Sequence, residues 1–208
     1  PFLLKVEAAT GKVLKKYAPG QGLPEILAKR QPNRGFEGLA VTPDGKVIAA
    51  VQSILDVDGK VKASKAPFIR LVELDPATGA TRMFAYPHDV AVYKKSADAK
   101  LGDLTAAGPG LLVTVEQAKG ADKVMRNTVY VVDLAKATDL TGKTAPDGSA
   151  LETVADLAAL EGLGVVPAAK KRLFDLRELG WKAEKAEGLA LLPDGKTLVV
   201  ASDNDFGL

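Results

Sequence analysis

The 208-residue chain contains no cysteine and a single histidine. The absence of cysteine excludes disulfides, thiolate metal sites and cysteine nucleophiles, and one histidine cannot build a multi-histidine zinc site. No apolar run approaches the roughly 18–20 residues of a membrane span, so we expect no transmembrane segment. The net charge is +2, with 26% charged residues of mixed sign. This balance indicates neither a nucleic-acid partner nor an anionic membrane surface.

Several catalytic and nucleotide-binding motifs are also missing from the sequence. It has no G-x-S-x-G nucleophile elbow, no phosphate-binding P-loop and no dinucleotide fingerprint. The chain begins at Pro1, without a methionine or a signal peptide. We therefore expect that an amino-terminal segment was removed or that the sequence is an excerpt of a longer protein.

A ten-residue pattern occurs twice in the chain. E-G-L-A-V-T-P-D-G-K begins at Glu37 and E-G-L-A-L-L-P-D-G-K begins at Glu187, so eight of ten positions are identical at an offset of 150 residues. Leu-Ala predicts a short buried strand and Pro-Asp-Gly a tight turn, and the apolar run after each copy predicts the returning strand of a hairpin. Each hairpin thus begins with a glutamate, beside a glycine that allows another group to approach the backbone closely.

A third, divergent copy spans residues 102–116, with Asp103 in place of the glutamate and Gly-Pro-Gly in place of the turn. Hairpins repeated at such intervals predict an all-β fold, and specifically a β-propeller. At about 40–50 residues per blade, the chain holds about four blades of four-stranded antiparallel sheet with short helical insertions. We expect a single domain over residues 1–208 that is incomplete at one or both ends. Its strand edges would need missing blades from the same protein or from a partner chain.

The segments between the hairpins carry weaker signals. Residues 23–30 have the composition of a short helix or turn, and residues 151–160 have an apolar spacing compatible with a helix. The polar stretch of residues 52–66 is interpreted as an exposed excursion, and its Asp56-Val-Asp58-Gly59 as a turn, because the distal glutamate of a calcium loop is missing. His88 has neither nucleophile nor metal-ligand spacing and is predicted to be a loop residue.

Three strings resemble those of one known family. They are N-R-G-F-E-G-L-A from Asn33, I-R-L-V-E-L-D from Ile69 and D-N-D-F-G from Asp203. They resemble the bacterial phytase-like domain, described as "esterase-like activity of phytase", and the resemblance covers essentially the whole chain. It implies a β-propeller of a secreted or periplasmic bacterial protein, longer than this chain, and hydrolysis of phosphoesters or related esters. More remotely, acidic residues at the start of inner strands are similar to those of the calcium-centred propellers of the gluconolactonase and paraoxonase kind.

The acidic residues form a candidate metal site. The first residues of innermost strands converge at one mouth of a propeller channel, where carboxylates would raise one another's pKa values unless a cation neutralised them. Oxygen ligands without sulfur suit a hard ion such as Ca²⁺. Alternatively, each carboxylate bonds backbone amides of the neighbouring blade and orders the channel. The candidate ligands are Glu37, Asp103, Glu187, Asp203, Asn204 and Asp205.

Two classes of function follow from these observations. The first is a calcium-dependent, phytase-like hydrolase of phosphoesters or related esters, in which Glu37 and Glu187 are catalytic. In it, Arg34 binds a substrate phosphate through its planar guanidinium, or else it pairs only with Glu37. The second is a non-catalytic propeller that binds a partner or ligand and whose acidic cluster is structural or holds a structural calcium.

Overall fold

The computed structural model describes residues 1–93 and 95–202. This part of the chain is built mainly of antiparallel β-strands, with one short α-helix, α1 (Leu157–Gly162), and single-turn 3-10 helices at the connections. None of its helices is long and apolar enough to cross a membrane. The strands are β1 (Leu3–Val6), β2 (Val13–Pro19), β3 (Gly22–Leu23), β4 (Phe36–Val41), β5 (Val47–Val51), β6 (Phe68–Leu74), β7 (Thr81–Pro87), β8 (Lys100–Gly108), β9 (Leu111–Lys119), β10 (Met125–Asp133), β11 (Ala169–Asp175), β12 (Gly188–Leu191) and β13 (Leu198–Ala201).

Strands that follow one another along the chain lie next to one another in four sheets. Strands β4 to β7 form one four-stranded antiparallel meander, and β8 to β11 form a second. A three-stranded sheet, β1 to β3, precedes them, and a two-stranded sheet, β12 and β13, follows. The all-β class is confirmed. The repeat predicted sheets of four strands, and two of the four sheets in the described residues have four strands.

All three copies of the repeat form the predicted hairpins, but the first strand is not buried as expected, because Leu39 and Val41 of β4 are 56% and 64% exposed. The first copy is β4–β5, the second is β12–β13 and the divergent one is β8–β9. In each turn the last glycine has a positive φ: +82° at Gly45, +66° at Gly195 and +66° at Gly110. Because residues with a Cβ rarely adopt this conformation, the glycines determine where each hairpin turns.

The first strands of the three successive sheets, β4, β8 and β12, lie side by side with β8 in the middle. We call them the lead strands. A Cβ on Gly38 of β4 would lie 2.8 Å from the backbone nitrogen of Leu104 on β8. A Cβ on Gly102 of β8 would lie 2.4 Å from the carbonyl oxygen of Ala186, just before β12. These two glycines therefore permit the close spacing of the lead strands, as predicted for the glycine beside Glu37.

The main core is centred on β6, all seven residues of which are buried. The long connection between β10 and β11 packs onto this core through Leu140, Leu151 and Leu160. Arg70 of β6 and Glu152 of that connection are both about 1% exposed and form a two-pronged ion pair, with N–O distances of 2.6 and 2.9 Å. This geometry satisfies both buried charges and attaches the connection to the sheet.

Two local predictions need correction. Residues 52–66 were expected to be exposed, but residues 52–55 are buried. Ile54 and Leu55 belong to the core. The polar Ser53 can be buried beside them because its hydroxyl donates a 2.8 Å hydrogen bond to the carbonyl of Ala99. Residues 151–160, whose apolar spacing was compatible with a helix, contain a 3-10 turn (Leu151–Thr153) and the first part of α1, separated by non-helical residues. The short helix or turn predicted within residues 23–30 is a 3-10 helix, Glu25–Lys29.

Candidate functional site

Glu37 and Glu187, the equivalent acidic residues of the repeat, line one cavity of about 490 Å³. Glu37 is the second residue of β4. Glu187 directly precedes β12, where its backbone N–H donates a 3.0 Å hydrogen bond to the carbonyl of Ala201. The remaining polar residues of the wall are Asn33, Arg34, Gln52, Lys100, Gln117 and Lys185.

The environment of Glu37 disfavours its negative charge. Desolvation raises the pKa of Glu37 above its ordinary value, and the charge of Glu187 raises it further. Lys100, Lys185 and a hydrogen bond from Gln52 act in the opposite direction and do not outweigh these effects. Although Glu37 is open to solvent in the cavity, it is thus a carboxyl that holds its proton to a higher pH than an isolated glutamic acid does.

Three cationic side chains lie in the same cavity. Desolvation lowers the pKa of Lys100, and the charges of Arg34 and Lys185 lower it further. Lys185 forms a 3.5 Å ion pair with Glu187, so one cation is directly beside a carboxylate. The cations repel one another at a partly desolvated wall, which favours a bound anion that neutralises them.

Arg34 is held in place by hydrogen bonds from its Nη1 to the Ser53 hydroxyl (3.1 Å) and to the carbonyl of Ala97. Desolvation lowers the pKa of Arg34 below its ordinary value, and the charge of Asp98 offsets this only in part. The ion pairs found among the described residues do not include Arg34 with Glu37. The preceding residue, Asn33, has a φ of +57°, a left-handed conformation that asparagine tolerates better than most residues.

Asp103 does not lie among the residues that line this cavity. Its Oδ2 accepts a 2.7 Å hydrogen bond from the N–H of Leu189 on β12, and its Oδ1 accepts one of 2.7 Å from the N–H of Leu104. Burial raises the pKa of Asp103 above its ordinary value, and the two hydrogen bonds offset this only in part. In the structure, Asp103 thus makes the contacts of the structural alternative, in which a carboxylate orders the neighbouring strand.

The other predicted ligands, Asp203, Asn204 and Asp205, lie outside the described residues. Within residues 1–93 and 95–202, no group of three or more histidine, cysteine, aspartate or glutamate side chains is arranged to hold a metal. The described part of the predicted set therefore supplies a pair of carboxylates, Glu37 and Glu187, in one cavity.

A separate charged cluster joins the two four-stranded sheets. Lys170 of β11 lies 2.6 Å from Asp89 and 3.0 Å from Glu116, and the Tyr86 hydroxyl donates a 2.7 Å hydrogen bond to Glu116. His88 lies beside it in a loop, as predicted, and is buried, with Nε2 2.9 Å from the carbonyl of Ala66. Lys170 contacts both carboxylates, and these contacts link side chains of the two sheets, so we interpret the cluster as a structural junction.

Sequence reasoning missed Lys100, Lys185, Gln52 and Gln117 as residues of the cavity. A signal for the first was present, because a basic residue stands three positions before the acidic residue in two copies of the repeat: Arg34 before Glu37 and Lys100 before Asp103. Lys185 precedes Glu187 by two positions. No pattern marks Gln52, since its place in the wall depends on how the chain leaves β5.

The fold and the cavity define an all-β protein with a polar site, rich in charge of both signs, where successive sheets meet. The chain belongs to the phytase-like family, described as "Esterase-like activity of phytase", whose family model matches residues 1–206. This match confirms the resemblance drawn from the sequence. No curated protein and no solved structure matches the chain.

Proposed function

We propose that this protein hydrolyses phosphoesters or related esters in the cavity between Glu37 and Glu187. The observation that carries the proposal is the meeting of these two carboxyl groups with Arg34, Lys100 and Lys185 in one cavity. An anionic ester needs cations that bind its charged oxygens and groups that exchange protons at the scissile bond. The cavity provides both, and membership of a family described by its esterase-like activity supports the reaction class.

Each charged residue has a role in this proposal. Arg34, Lys100 and Lys185 bind the anionic oxygens of the ester and neutralise the charge that develops during the reaction. Glu187 takes a proton from a water molecule as that water attacks the phosphorus or carbonyl centre. Glu37, whose raised pKa favours the protonated form, donates its proton to the leaving oxygen as the ester bond breaks. The products are an alcohol and the free acid, and one proton exchange restores the two carboxyl groups.

We further propose that the sheets are blades of a β-propeller and that the protein is periplasmic or secreted. Consecutive four-stranded meanders whose first strands lie side by side support the propeller. In that architecture the lead strands β4, β8 and β12 face the channel, and the cavity lies at one of its mouths. The cellular location rests on the family alone.

Calcium remains a prediction for this cavity. Calcium takes six to eight oxygen ligands, whereas the described wall supplies two carboxylates and the side-chain oxygens of Asn33, Gln52 and Gln117, next to three cations. The Gln117 oxygen already accepts the N–H of Ala186. This donor set does not by itself fit a calcium site, so the reaction above includes no step at a metal. The prediction depends on Asp203, Asn204 and Asp205, which would have to complete the coordination.

Hydrolysis of three substrates by the parent protein tests the proposal: bis(4-nitrophenyl) phosphate, 4-nitrophenyl phosphate and 4-nitrophenyl acetate, each with added calcium or with a chelator. Glu37→Gln and Glu187→Gln should each lower kcat by about 10²–10⁴-fold. Glu161→Gln, on the exposed surface of α1, should leave kcat unchanged and serves as the control. A parent protein that binds inorganic phosphate but hydrolyses none of the substrates would favour the non-catalytic alternative. That alternative has structural support at Asp103, whose carboxylate orders β12.

A further inference from the structure

Two buried amide side chains hold the segment that carries Lys185 and Glu187. Gln117 of β9 and Asn127 of β10 are cross-strand partners, 1% and 0% exposed. The Gln117 Oε1 and the Asn127 Oδ1 each accept a 3.0 Å hydrogen bond from the backbone N–H of Ala186. The Asn127 Nδ2 also donates a 3.1 Å hydrogen bond to the carbonyl of Glu184.

The backbone N–H of Ala186 has more hydrogen-bond acceptors than it needs. One acceptor satisfies a backbone N–H, yet two buried side chains from adjacent strands converge on this one. A buried polar side chain is costly unless it is bonded, so both amides depend on the same short segment. On its other side, the Ala186 carbonyl lies so close to Gly102 that a Cβ there would approach it to 2.4 Å. The backbone of Ala186 is therefore fixed from both sides.

The residues on either side of Ala186 are the ones that face the cavity. Lys185 and Glu187 both line the wall, and Gln117 itself reaches it. We infer that Gln117 and Asn127 are positioning residues, which fix Lys185 and Glu187 in the cavity by clamping the Ala186 backbone between them. The inference rests on the proposed function for its catalytic consequence, whereas the clamp itself is a feature of the fold. A displacement of about 1 Å at a reacting group is enough to lower a rate by about 10²-fold.

The test uses two near-isosteric variants, Gln117→Met and Asn127→Leu, in the full chain. Gln117→Met removes one acceptor and leaves the other, so it should fold even if Asn127→Leu does not. The control is Thr128→Val, the next residue of β10, which loses a buried 2.9 Å hydrogen bond to Asp175 that does not involve residues 184–187. The melting temperature of each variant shows how far a general loss of stability contributes.

Three readouts separate the clamp from the catalytic proposal. Hydrogen exchange at the Ala186 amide should be at least about tenfold faster in both variants than in the parent and in Thr128→Val, because local opening costs less. The affinity for inorganic phosphate, measured by calorimetry, should fall. With bis(4-nitrophenyl) phosphate, kcat should fall by about tenfold or more at saturating substrate, whereas Thr128→Val should retain the parent's kcat.

These measurements test the positioning role and the proposed function separately. Folded variants with parental exchange at Ala186, or a Thr128→Val control with the same loss of kcat, would overturn the positioning role. A parent that neither binds phosphate nor hydrolyses the ester would overturn the proposed function. In that case, faster exchange at Ala186 in the two variants would still establish the clamp. Parental exchange in both variants would overturn the clamp too.

Discussion

The carboxylate of Asp103 on β8 accepts a 2.7 Å hydrogen bond from the backbone N–H of Leu189 on β12. Its other oxygen accepts the N–H of Leu104 at the same distance. Two neighbouring lead strands are thus joined by a side chain as well as by packing. The acidic position of the divergent repeat copy serves the fold, while the same position in the other two copies faces the cavity.

Replacing Asp103 should therefore affect stability directly. Asp103→Asn keeps the size of the side chain but turns one acceptor into a donor against a backbone N–H, so we expect a loss of about 1–3 kcal/mol in the free energy of unfolding. Urea unfolding measures the loss, and Asp58→Asn in an exposed loop should change the free energy by no more than about 0.5 kcal/mol. If Asp103→Asn is as stable as the parent without calcium and loses only calcium-dependent stability, Asp103 is a metal ligand instead.

Gly38→Ala should destabilise the protein through a backbone clash. The added Cβ would lie 2.8 Å from the backbone nitrogen of Leu104, and because backbone cannot move aside as a flexible side chain does, β4 and β8 must separate. We expect a loss of about 1–3 kcal/mol or more in denaturant unfolding. Gly162→Ala in α1, with no atom within 4 Å of the new Cβ, should be neutral or stabilising by up to about 1 kcal/mol. Equal effects of the two substitutions would refute the close-spacing argument.

The buried pair of Arg70 and Glu152 should show a characteristic pattern of variants. Glu152→Leu leaves the guanidinium of Arg70 buried and unpaired, which should cost about 3–5 kcal/mol in the free energy of unfolding. The double variant Arg70→Met, Glu152→Leu removes both charges and should recover most of that loss. The comparison is made by chemical denaturation. A double variant no more stable than Glu152→Leu alone would contradict this explanation, because the unpaired guanidinium would then not be the source of the loss.

The hairpins could be predicted from the sequence because their determinants are local. Pro-Asp-Gly and Gly-Pro-Gly specify turns, and the apolar runs on each side specify strands, so β4–β5, β8–β9 and β12–β13 follow without knowledge of the fold. The burial of residues 52–55 could not be predicted in this way. Ser53 is buried because a carbonyl 46 residues further along the chain accepts its hydrogen bond.

The candidate site was predictable only in part, because contacts between distant parts of the chain bring several of its residues together. The repeat indicates that Glu37 and Glu187 are equivalent, and the adjacency of the lead strands brings them to one cavity. The sequence does not show that Lys100 and Lys185 join them, because that depends on the order of the strands in space. Gln117 and Asn127 resemble ordinary strand residues until the register pairs them opposite Ala186.

The calcium prediction can be tested on the melting temperature of the protein. An ion that binds only the folded state stabilises it, by about 2.7 kcal/mol when its concentration is about 100 times Kd. Added calcium should therefore raise the melting temperature of the parent. The double variant Glu37→Gln, Glu187→Gln should remain folded and lose this increment, because two carboxylates are removed from the ligand set. If calcium stabilises the variant as much as the parent, these glutamates do not hold the ion.

The central claim, that Glu37 donates a proton at an ester bound in the cavity, is tested most directly by the pH profile of kcat/KM for bis(4-nitrophenyl) phosphate. Desolvation and Glu187 raise the pKa of Glu37 above its ordinary value of 4.5. Since the acid role requires the protonated form, kcat/KM should fall as the pH rises through this raised pKa. Glu37→Gln should lose that descending limb together with about 10²–10⁴-fold of the rate. A Glu37→Gln variant that retains both the parental rate and the descending limb would contradict the account.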